Sequence, residues 1–255
     1  LATANFFILR LNRELIDRLL ELNRAFYDGY AQSFSSTRFS VQPGIRSLLP
    51  RLLETSAILD LGCGNGNLAK ALHQAGYEGS YLGLDNSQGL LDEAKKAVGP
   101  SSGAAFDFRL TDLARDLDHQ AFNSGFDAVT CFAVVHHFPE PPFLSRFFSF
   151  AAGALKPGGS FYLSVWQVKS SRRLKHRIQP WSLVGLDETR LDDDDLLLDW
   201  RAEPAQKQLY RYVRHYSSAA LRHAGSACGF SLASEFYSDG REGNLALYQV
   251  WQLPL

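Results

Sequence analysis

The chain has 255 residues, with 26 Lys and Arg residues against 27 Asp and Glu residues, and a formal net charge of −1. This balance excludes nucleic-acid binding by bulk positive charge, because affinity for phosphate grows with the number of basic groups that displace counterions. A nucleic-acid partner would have to meet a local basic patch. The 45% hydrophobic and 21% charged residues exclude a disordered chain and are typical of a globular domain.

Cysteine usage and apolar runs bear on the compartment. Cys63, Cys131 and Cys228 lie far apart without paired spacing, which favours neither a disulfide framework nor a zinc site. A reducing compartment fits this pattern, so we expect a cytoplasmic protein. The longest apolar stretch, residues 143–155, contains Arg146 and is too short for a membrane span, so we expect no membrane partner.

The N-terminal segment, about residues 1–55, is predicted to be mainly helical. Apolar residues recur at helical spacing over residues 11–34, which predicts one or two amphipathic helices. Pro43 is well placed to open a further helix that reaches about Leu53. We interpret residues 1–55 as a lid on the domain.

The central block, about residues 56–167, alternates predicted strands and helices. The strands cover residues 57–61, 81–85, 104–110, 126–132 and 160–166, and the helices cover residues 68–75, 89–98 and 143–155. Such alternation implies right-handed crossovers and a mainly parallel sheet. A helix at 217–228 and two strands at 230–237 and 245–253 follow. The sequence therefore predicts one α/β domain: a Rossmann-like, seven-stranded, mostly parallel sheet with helices on both faces and an antiparallel C-terminal strand pair.

The pattern breaks down between these parts, over residues 168–208. This segment starts with a basic stretch, residues 169–177, and continues with an acidic one that includes the run 192–195. We interpret it as an inserted flap, because a long loop in a compact domain is usually functional. Residues 209–255 would then form the C-terminal helix and strand pair.

The strongest motif is the turn Asp60-Leu61-Gly62-Cys63-Gly64-Asn65-Gly66, between a strand and a helix. Glycines there let the backbone turn tightly and let a ligand approach the main chain. A dinucleotide site is the obvious competitor. It is disfavoured because the Asp60 carboxylate would repel a pyrophosphate and attract an ammonium group, and because no basic residue precedes Lys70 nearby.

Asp85 follows the second predicted strand at the distance expected for a residue that binds a ribose diol. A ligand with a ribose, an adenine and a positively charged amino-acid tail is S-adenosylmethionine. The motifs resemble those of the class I S-adenosylmethionine-dependent methyltransferases, whose Pro-Gly-Gly turn also matches residues 157–159. The resemblance implies a methyltransferase fold, this cofactor, and cofactor contacts from Asp60, Gly62, Cys63, Gly64, Gly66, Asp85, Asn86, Asp112, Leu113 and Phe132.

Segments outside the core are similar to the tRNA wobble-uridine methyltransferases, which esterify 5-carboxymethyluridine. The similar segments are residues 27–38, 133–138, 165–166, 195–201 and 210–212. This resemblance implies a tRNA substrate and leaves open whether an activator subunit is required, as it is in some relatives. The chain departs from the family at residues 40–44, where a Pro-Trp-Pro segment is missing, and at His215, which comes one place late.

The acceptor decides which residues would be catalytic. A carboxylate is already ionised at neutral pH and needs a cation to hold it, with Arg38 as the first candidate and Arg211 as the second. A hydroxyl or amine needs a proton acceptor, which would be His136 or His137, and we favour His136.

Further pocket residues are expected to be Tyr30, His137, Trp166 and Arg211. The alternatives without a role in binding or catalysis are a surface ion pair for Arg38, core packing for the aromatic residues and a solvated loop for the basic stretch. The alternative functions are a small-molecule carboxylate or hydroxyl methyltransferase, and a protein that binds the cofactor without transferring methyl.

Overall fold

The computed structural model describes residues 13–36, 41–99, 105–117, 124–139, 141–200 and 209–255, and only the backbone of residues 30–36, 141 and 142. The helices are α1 (Arg13–Ser36), α2 (Pro43–Leu53), α3 (Asn67–Gln74), α4 (Gln88–Val98), α5 (Leu113–Asp116), α6 (Pro141–Ala154), α7 (Arg172–Lys175) and α8 (Ser218–Ala227). The strands are β1 (Ala57–Leu61), β2 (Ser80–Asp85), β3 (Ala105–Leu110), β4 (Phe126–Phe132), β5 (Leu155–Trp166), β6 (Ile178–Gln179), β7 (Asp195–Asp199), β8 (Tyr210–Arg214), β9 (Ser231–Ser238) and β10 (Ala246–Gln252).

The main sheet confirms the predicted fold class. Its seven strands run in the order β3-β2-β1-β4-β5-β10-β9. The first five pair in parallel, whereas β10 pairs antiparallel with both β5 and β9. The chain moves outward from β1 on one side and restarts on the other side with β4. This reversal is the topological switch point, at which α/β sheets bind ligands beyond the carboxyl ends of their strands.

Two apolar layers cover the sheet because each strand sends alternate side chains to opposite faces. In β1, Leu59 and Leu61 belong to the core on the face of α6 and α8, whereas Ile58 belongs to the core on the face of α2, α3 and α4. Residues 58–61 of β1 are buried on both faces of the sheet, which explains why β1 is a continuous apolar run apart from Asp60.

The turn predicted at residues 156–159 is instead a bulge inside β5. The pairing of β4 with β5 jumps from Phe126 opposite Leu155 to Ala128 opposite Ser160. Gly158 supplies the left-handed backbone, with φ of 76°, that accommodates the extra residues. Strand β5 therefore starts directly after α6.

The segment predicted as a flap forms part of a second sheet, with strands in the order β6-β7-β8 and antiparallel pairing throughout. The sheet includes β8, beyond the predicted flap boundary at residue 208. Helix α1 packs against β8 and α4, so the N-terminal helix joins the second sheet to the main domain. In the part of the chain that the structure describes, no helix is long and apolar enough to cross a membrane.

Candidate active site

A cavity of about 440 Å³ opens at the carboxyl ends of β1, β2 and β4. Its wall continues onto α1, the start of α2, the end of β5, the second sheet and the turn between β9 and β10. The cavity therefore lies at the switch point of the sheet, and the lid and the small sheet close its outer side.

The glycine turn lines the cavity after β1. Gly62 and Gly64 have φ of 75° and 56°, in the left-handed region that favours glycine. The amides of Gly62 and Cys63 donate to the carbonyl oxygen of Leu84 at 2.7 and 3.0 Å, which ties the turn to β2. No atom lies within 4 Å of a Cβ built on Gly64, so the backbone there leaves room for a ligand.

Gly66 has a different function from its predicted cofactor contact. It does not line the cavity, and a Cβ built on it would lie 2.9 Å from the Cα of Ala94. Gly66 therefore allows the start of α3 to pack closely against α4. The glycine pattern did not distinguish the residues that make room for a ligand from the one that makes room for a helix.

Asp85 ends β2 with its carboxylate buried beside the glycine turn. One oxygen accepts from the Gly64 amide at 2.8 Å and the other accepts from the Ser87 amide at 3.0 Å. Burial raises the pKa of this carboxyl, although the backbone donors act in the opposite direction. The two amides fix the carboxylate at the cavity wall, in the place expected for a group that accepts from a ribose diol.

Asp60 is held by two hydroxyl groups. The Tyr81 hydroxyl donates to one oxygen at 2.5 Å and the Thr130 hydroxyl donates to the other at 2.6 Å. Burial raises the pKa of Asp60 to about 6, against the effect of both hydrogen bonds. The carboxylate lines the cavity, and its contact with an ammonium group remains a prediction.

Two further predicted cofactor residues, Asp112 and Leu113, lie at the start of α5. Asp112 caps this helix by accepting from the Ala114 amide at 3.0 Å, and its other oxygen accepts from the Arg24 guanidinium of α1 at 3.1 Å. With Leu113, Asn86 and Phe132, it lines the cavity. Apart from Gly66, all the predicted cofactor residues meet around this cavity. The open cradle at Gly64 and the fixed carboxylate of Asp85 fit S-adenosylmethionine.

His137 lies at the other end of the cavity. Its Nδ1 is 3.1 Å from the carbonyl oxygen of Tyr212, and its Nε2 is 2.7 Å from the Tyr27 hydroxyl. A carbonyl oxygen only accepts, so Nδ1 carries the proton of the neutral ring and Nε2 accepts from Tyr27. The backbone of the second sheet therefore selects the tautomer of a histidine in the cavity wall.

The preference for His136 over His137 is wrong. His136 is 0% exposed, does not line the cavity, and lies 4.6 Å from the Trp166 ring between centroids. Both residues belong to a one-turn 3₁₀ helix, Val135–His137, in which consecutive side chains point in different directions. His136 accepts from the backbone amide of Trp166 at 3.4 Å, and so packs behind a residue that lines the cavity.

Arg211 and Trp166, two of the predicted pocket residues, lie together on the same wall of the cavity. The Arg211 guanidinium carbon lies 4.3 Å from the Trp166 ring centroid, 4.9 Å from that of Phe26 and 5.5 Å from that of Trp200. We call these three rings the aromatic cage. Arg211 is only 2% exposed, so its charge is almost fully removed from water and stabilised by ring faces.

The two halves of the predicted flap differ in position. Arg173 and Arg177 of the basic stretch line the cavity. In the acidic run, Asp192 and Asp195 both bind Arg214, at 2.9 and 2.8 Å. The basic half therefore faces the cavity. Arg38 lies outside the described residues, as does the side chain of Tyr30, so their predicted contacts are not described.

Several lining residues were not predicted. They are Asn23, Arg24 and Tyr27 on α1, Trp200 after β7, and Asp239 in the turn after β9. Residues 20, 23, 24 and 27 share one face of α1, so a polar stripe on an otherwise apolar helix face could have indicated the first three. No local signal marks Trp200 or Asp239, because only the tertiary structure brings them to the cavity.

Comparison with known proteins agrees with this arrangement. A family model described as a methyltransferase domain matches residues 34–235, so the chain belongs to this methyltransferase family. A S-adenosylmethionine-dependent methyltransferase from Methanosarcina mazei has a similar structure, with a TM-score of 0.63 and 22% identity over 85% of this chain and 99% of that one. N-methyltransferase NodS from Bradyrhizobium japonicum was crystallised with S-adenosylhomocysteine. It has a TM-score of 0.60 and 14% identity over 93% of this chain and 99% of that one.

Among curated proteins, the chain is 36% identical to a Ubiquinone biosynthesis O-methyltransferase from Marinobacter nauticus, over 42% of each chain. It is 22% identical to the Probable tRNA methyltransferase 9B of Mus musculus, over 86% of this chain and 44% of that protein. The matches therefore span less than half the length of these relatives. The family model therefore identifies this chain as a methyltransferase domain.

Proposed function

We propose that this methyltransferase esterifies a carboxylate of a tRNA nucleoside, such as that of 5-carboxymethyluridine. The observation that carries the proposal is the buried guanidinium of Arg211 on the cavity wall, inside the aromatic cage. A planar guanidinium binds a carboxylate through two parallel hydrogen bonds, and such bonds strengthen where water is excluded.

The reaction requires positioning more than acid or base catalysis. When bound, the cofactor supplies a methyl group on a sulfonium, whose carbon–sulfur bond breaks as the carboxylate oxygen forms its bond to carbon. The carboxylate is ionised at neutral pH, so no proton is transferred. Arg211 would hold one end of the acceptor, and the cage and His137 would exclude water around it.

The rim of the cavity supports a nucleic-acid acceptor. Arg173 is exposed and Arg177 is half-buried, and both line the cavity. Together with Arg172 and Lys175 of α7, they give a local basic patch on a chain of nearly balanced charge. The relatives described as Probable tRNA methyltransferase 9B match 86% of this chain in Mus musculus and 71% in Bos taurus.

The test is a transfer assay with methyl-labelled cofactor and bulk tRNA. We expect label in RNA that mild alkali removes, because esters hydrolyse whereas base and ribose methyl groups persist. Asp85→Ala is the matched negative control because it removes the predicted ribose contact. Unlabelled RNA, or RNA whose label survives alkali, would overturn the ester proposal.

A second candidate is methylation of a hydroxyl on a small molecule. The Tyr27–His137 pair favours it, since Nε2 of a neutral His137 is available to take a proton if Tyr27 turns away. Relatives described as Ubiquinone biosynthesis O-methyltransferase match about two fifths of the chain. Alkali-stable label in a small-molecule extract, with a rate that depends on His137, would support this candidate in place of the first.

A further inference from the structure

Asn23 connects α1, β8 and the segment after β4. These elements surround the end of the cavity where His137 and Arg211 lie, which we call the acceptor end. Its side-chain nitrogen donates to the carbonyl oxygen of His137 at 2.9 Å, and its side-chain oxygen accepts from the Tyr212 amide at 2.8 Å. Asn23 is 7% exposed and lines the cavity. A buried amide with both ends used is costly to disturb, because each lost partner leaves a buried polar group unsatisfied.

The N–H and C=O of Tyr212 lie on the outer edge of the small sheet, which is buried at this residue. Strand β8 is the outer strand of the small sheet, so the N–H and C=O of alternate residues face away from β7. Tyr212 is such a residue, since its N–H donates to Asn23 and its C=O accepts from Nδ1 of His137. Two side chains therefore close this edge in place of a further strand.

The hydrogen bonds among Asn23, His137 and Tyr212, which we call the junction, also set the position of Arg211. Residues 211 and 212 are neighbours in β8, so their side chains point to opposite faces of the small sheet. The Tyr212 side chain is fixed on its face by donating to Asp195 at 2.6 Å, and Arg211 extends into the aromatic cage. A shift of the Tyr212 backbone would move Arg211 and release His137 together.

We infer that Asn23 is a positioning residue for the acceptor. It holds the edge of β8 against the segment after β4, and so fixes Arg211 and the tautomer of His137 relative to each other. At the cofactor end, Asp85 and the glycine turn are held by main-chain hydrogen bonds that do not involve Asn23.

The spectroscopic test needs no acceptor. Nitrogen-15 NMR of the histidine side chains, with His137 assigned through His137→Gln, reports which ring nitrogen carries the proton. We expect Nδ1–H in the wild type and its loss in Asn23→Ala. If Asn23→Ala does not fold, Asn23→Asp replaces it, because the carboxylate still accepts from Tyr212 but cannot donate to the His137 carbonyl.

Leu15→Ala is the matched control. Leu15 lies on the same helix, is buried against the second sheet and does not line the cavity. Leu15 belongs to the same apolar cluster as the Tyr212 side chain, so its truncation weakens the packing of α1 on the small sheet while both hydrogen-bond partners of Asn23 stay in place. We expect it to keep the Nδ1–H signature. Retention of that signature in the Asn23 variant, or its equal loss in Leu15→Ala, would overturn the inference.

A kinetic test rests on the proposed function. With bulk tRNA as the acceptor, Asn23→Ala is expected to raise KM for tRNA by roughly tenfold or more, because a small displacement of positioning groups is costly. The affinity for S-adenosylhomocysteine should stay within about twofold. Unlabelled tRNA with the wild type would reject the proposed acceptor, and the NMR result would still decide the role of Asn23.

Discussion

Arg211 and Trp166 come from different sheets and meet on one wall of the cavity, with the guanidinium carbon 4.3 Å from the centroid of the indole ring. Trp166 ends β5 of the main sheet, and Arg211 lies in β8 of the small sheet. The acceptor end of the site therefore exists only where the second sheet docks on the first. At the cofactor end, the glycine turn and Asp85 both lie at the carboxyl ends of strands of the main sheet.

Arg211→Lys should separate acceptor binding from cofactor binding. Lysine keeps the charge but loses the planar fork that binds a carboxylate, so kcat/KM for tRNA should fall by about tenfold to a hundredfold. Calorimetry with S-adenosylhomocysteine should give an unchanged affinity. Arg222→Lys is the control and should retain activity, because Arg222 pairs with Glu235 and neither residue lines the cavity. Equal losses in both variants would contradict a role for Arg211.

Asp85→Asn should lower the affinity for S-adenosylhomocysteine by about tenfold to a hundredfold, because charge-assisted hydrogen bonds are worth about 1.5–3 kcal/mol. The substitution also replaces an acceptor of the Gly64 amide by a donor in one amide orientation. Calorimetry measures the affinity. Asp107→Asn, exposed on the edge strand β3, serves as the control. An affinity equal to that of the wild type would reject Asp85 as a cofactor residue.

Asp60→Asn should change how stability depends on pH. The pKa of Asp60 rises from 3.8 to about 6 on folding. The native state therefore holds this proton over a range in which the unfolded state has lost it, and the contribution of Asp60 to stability falls as pH rises from 3.8 to about 6.

Asparagine has no such titration. Urea unfolding of both proteins between about pH 4 and pH 7 should show the stability of the variant rising relative to the wild type, by up to about 3 kcal/mol, and then levelling off. A difference that stays constant over this range would show that Asp60 has an ordinary pKa in the native state.

Two residues with left-handed backbones should respond oppositely to glycine. Ala133, with φ of 58°, follows β4 at the cavity wall. The left-handed conformation costs an L-residue about 1–2 kcal/mol. Ala133→Gly removes this cost but increases the conformational entropy of the unfolded chain, so it should raise the free energy of unfolding by up to about 1 kcal/mol.

Asp239 has φ of 71°, but its carboxylate accepts from the Gly44 amide at 2.9 Å and from the Tyr248 hydroxyl at 2.6 Å. Asp239→Gly should therefore lower the free energy of unfolding by about 1–3 kcal/mol despite the relaxed backbone. Urea unfolding measures both variants. A stabilising Asp239→Gly would mean that the strain outweighs the two hydrogen bonds.

Much of the site was predictable because its signals are local. The strands β1 and β4 match their predicted bounds, and the glycine turn and Asp85 follow strands directly. Parallel strands bring their carboxyl ends to one edge of the sheet, so residues far apart in sequence meet there without further information. This is why the cofactor end of the cavity was predicted nearly completely.

The acceptor end depended on packing that no local pattern encodes. Residues 136 and 137 are both histidines, and only the position of the Tyr212 carbonyl and the Tyr27 hydroxyl shows that His137 faces the cavity. The roles of Asn23 and Trp200 likewise appear only when α1 and the small sheet dock on the domain.

The charge balance of −1 belongs to the sequence, but its arrangement is a property of the tertiary structure. Arg214 draws Asp192 and Asp195 into ion pairs, whereas Arg173 and Arg177 line the cavity. The alternation of strands and helices therefore predicted the fold, and the glycine and aspartate motifs predicted the cofactor and most of the residues at its end of the cavity. Contacts between distant segments decided which charges, which histidine and which aromatic rings line the cavity, because the burial and hydrogen-bond partners of each side chain exist only after those segments pack.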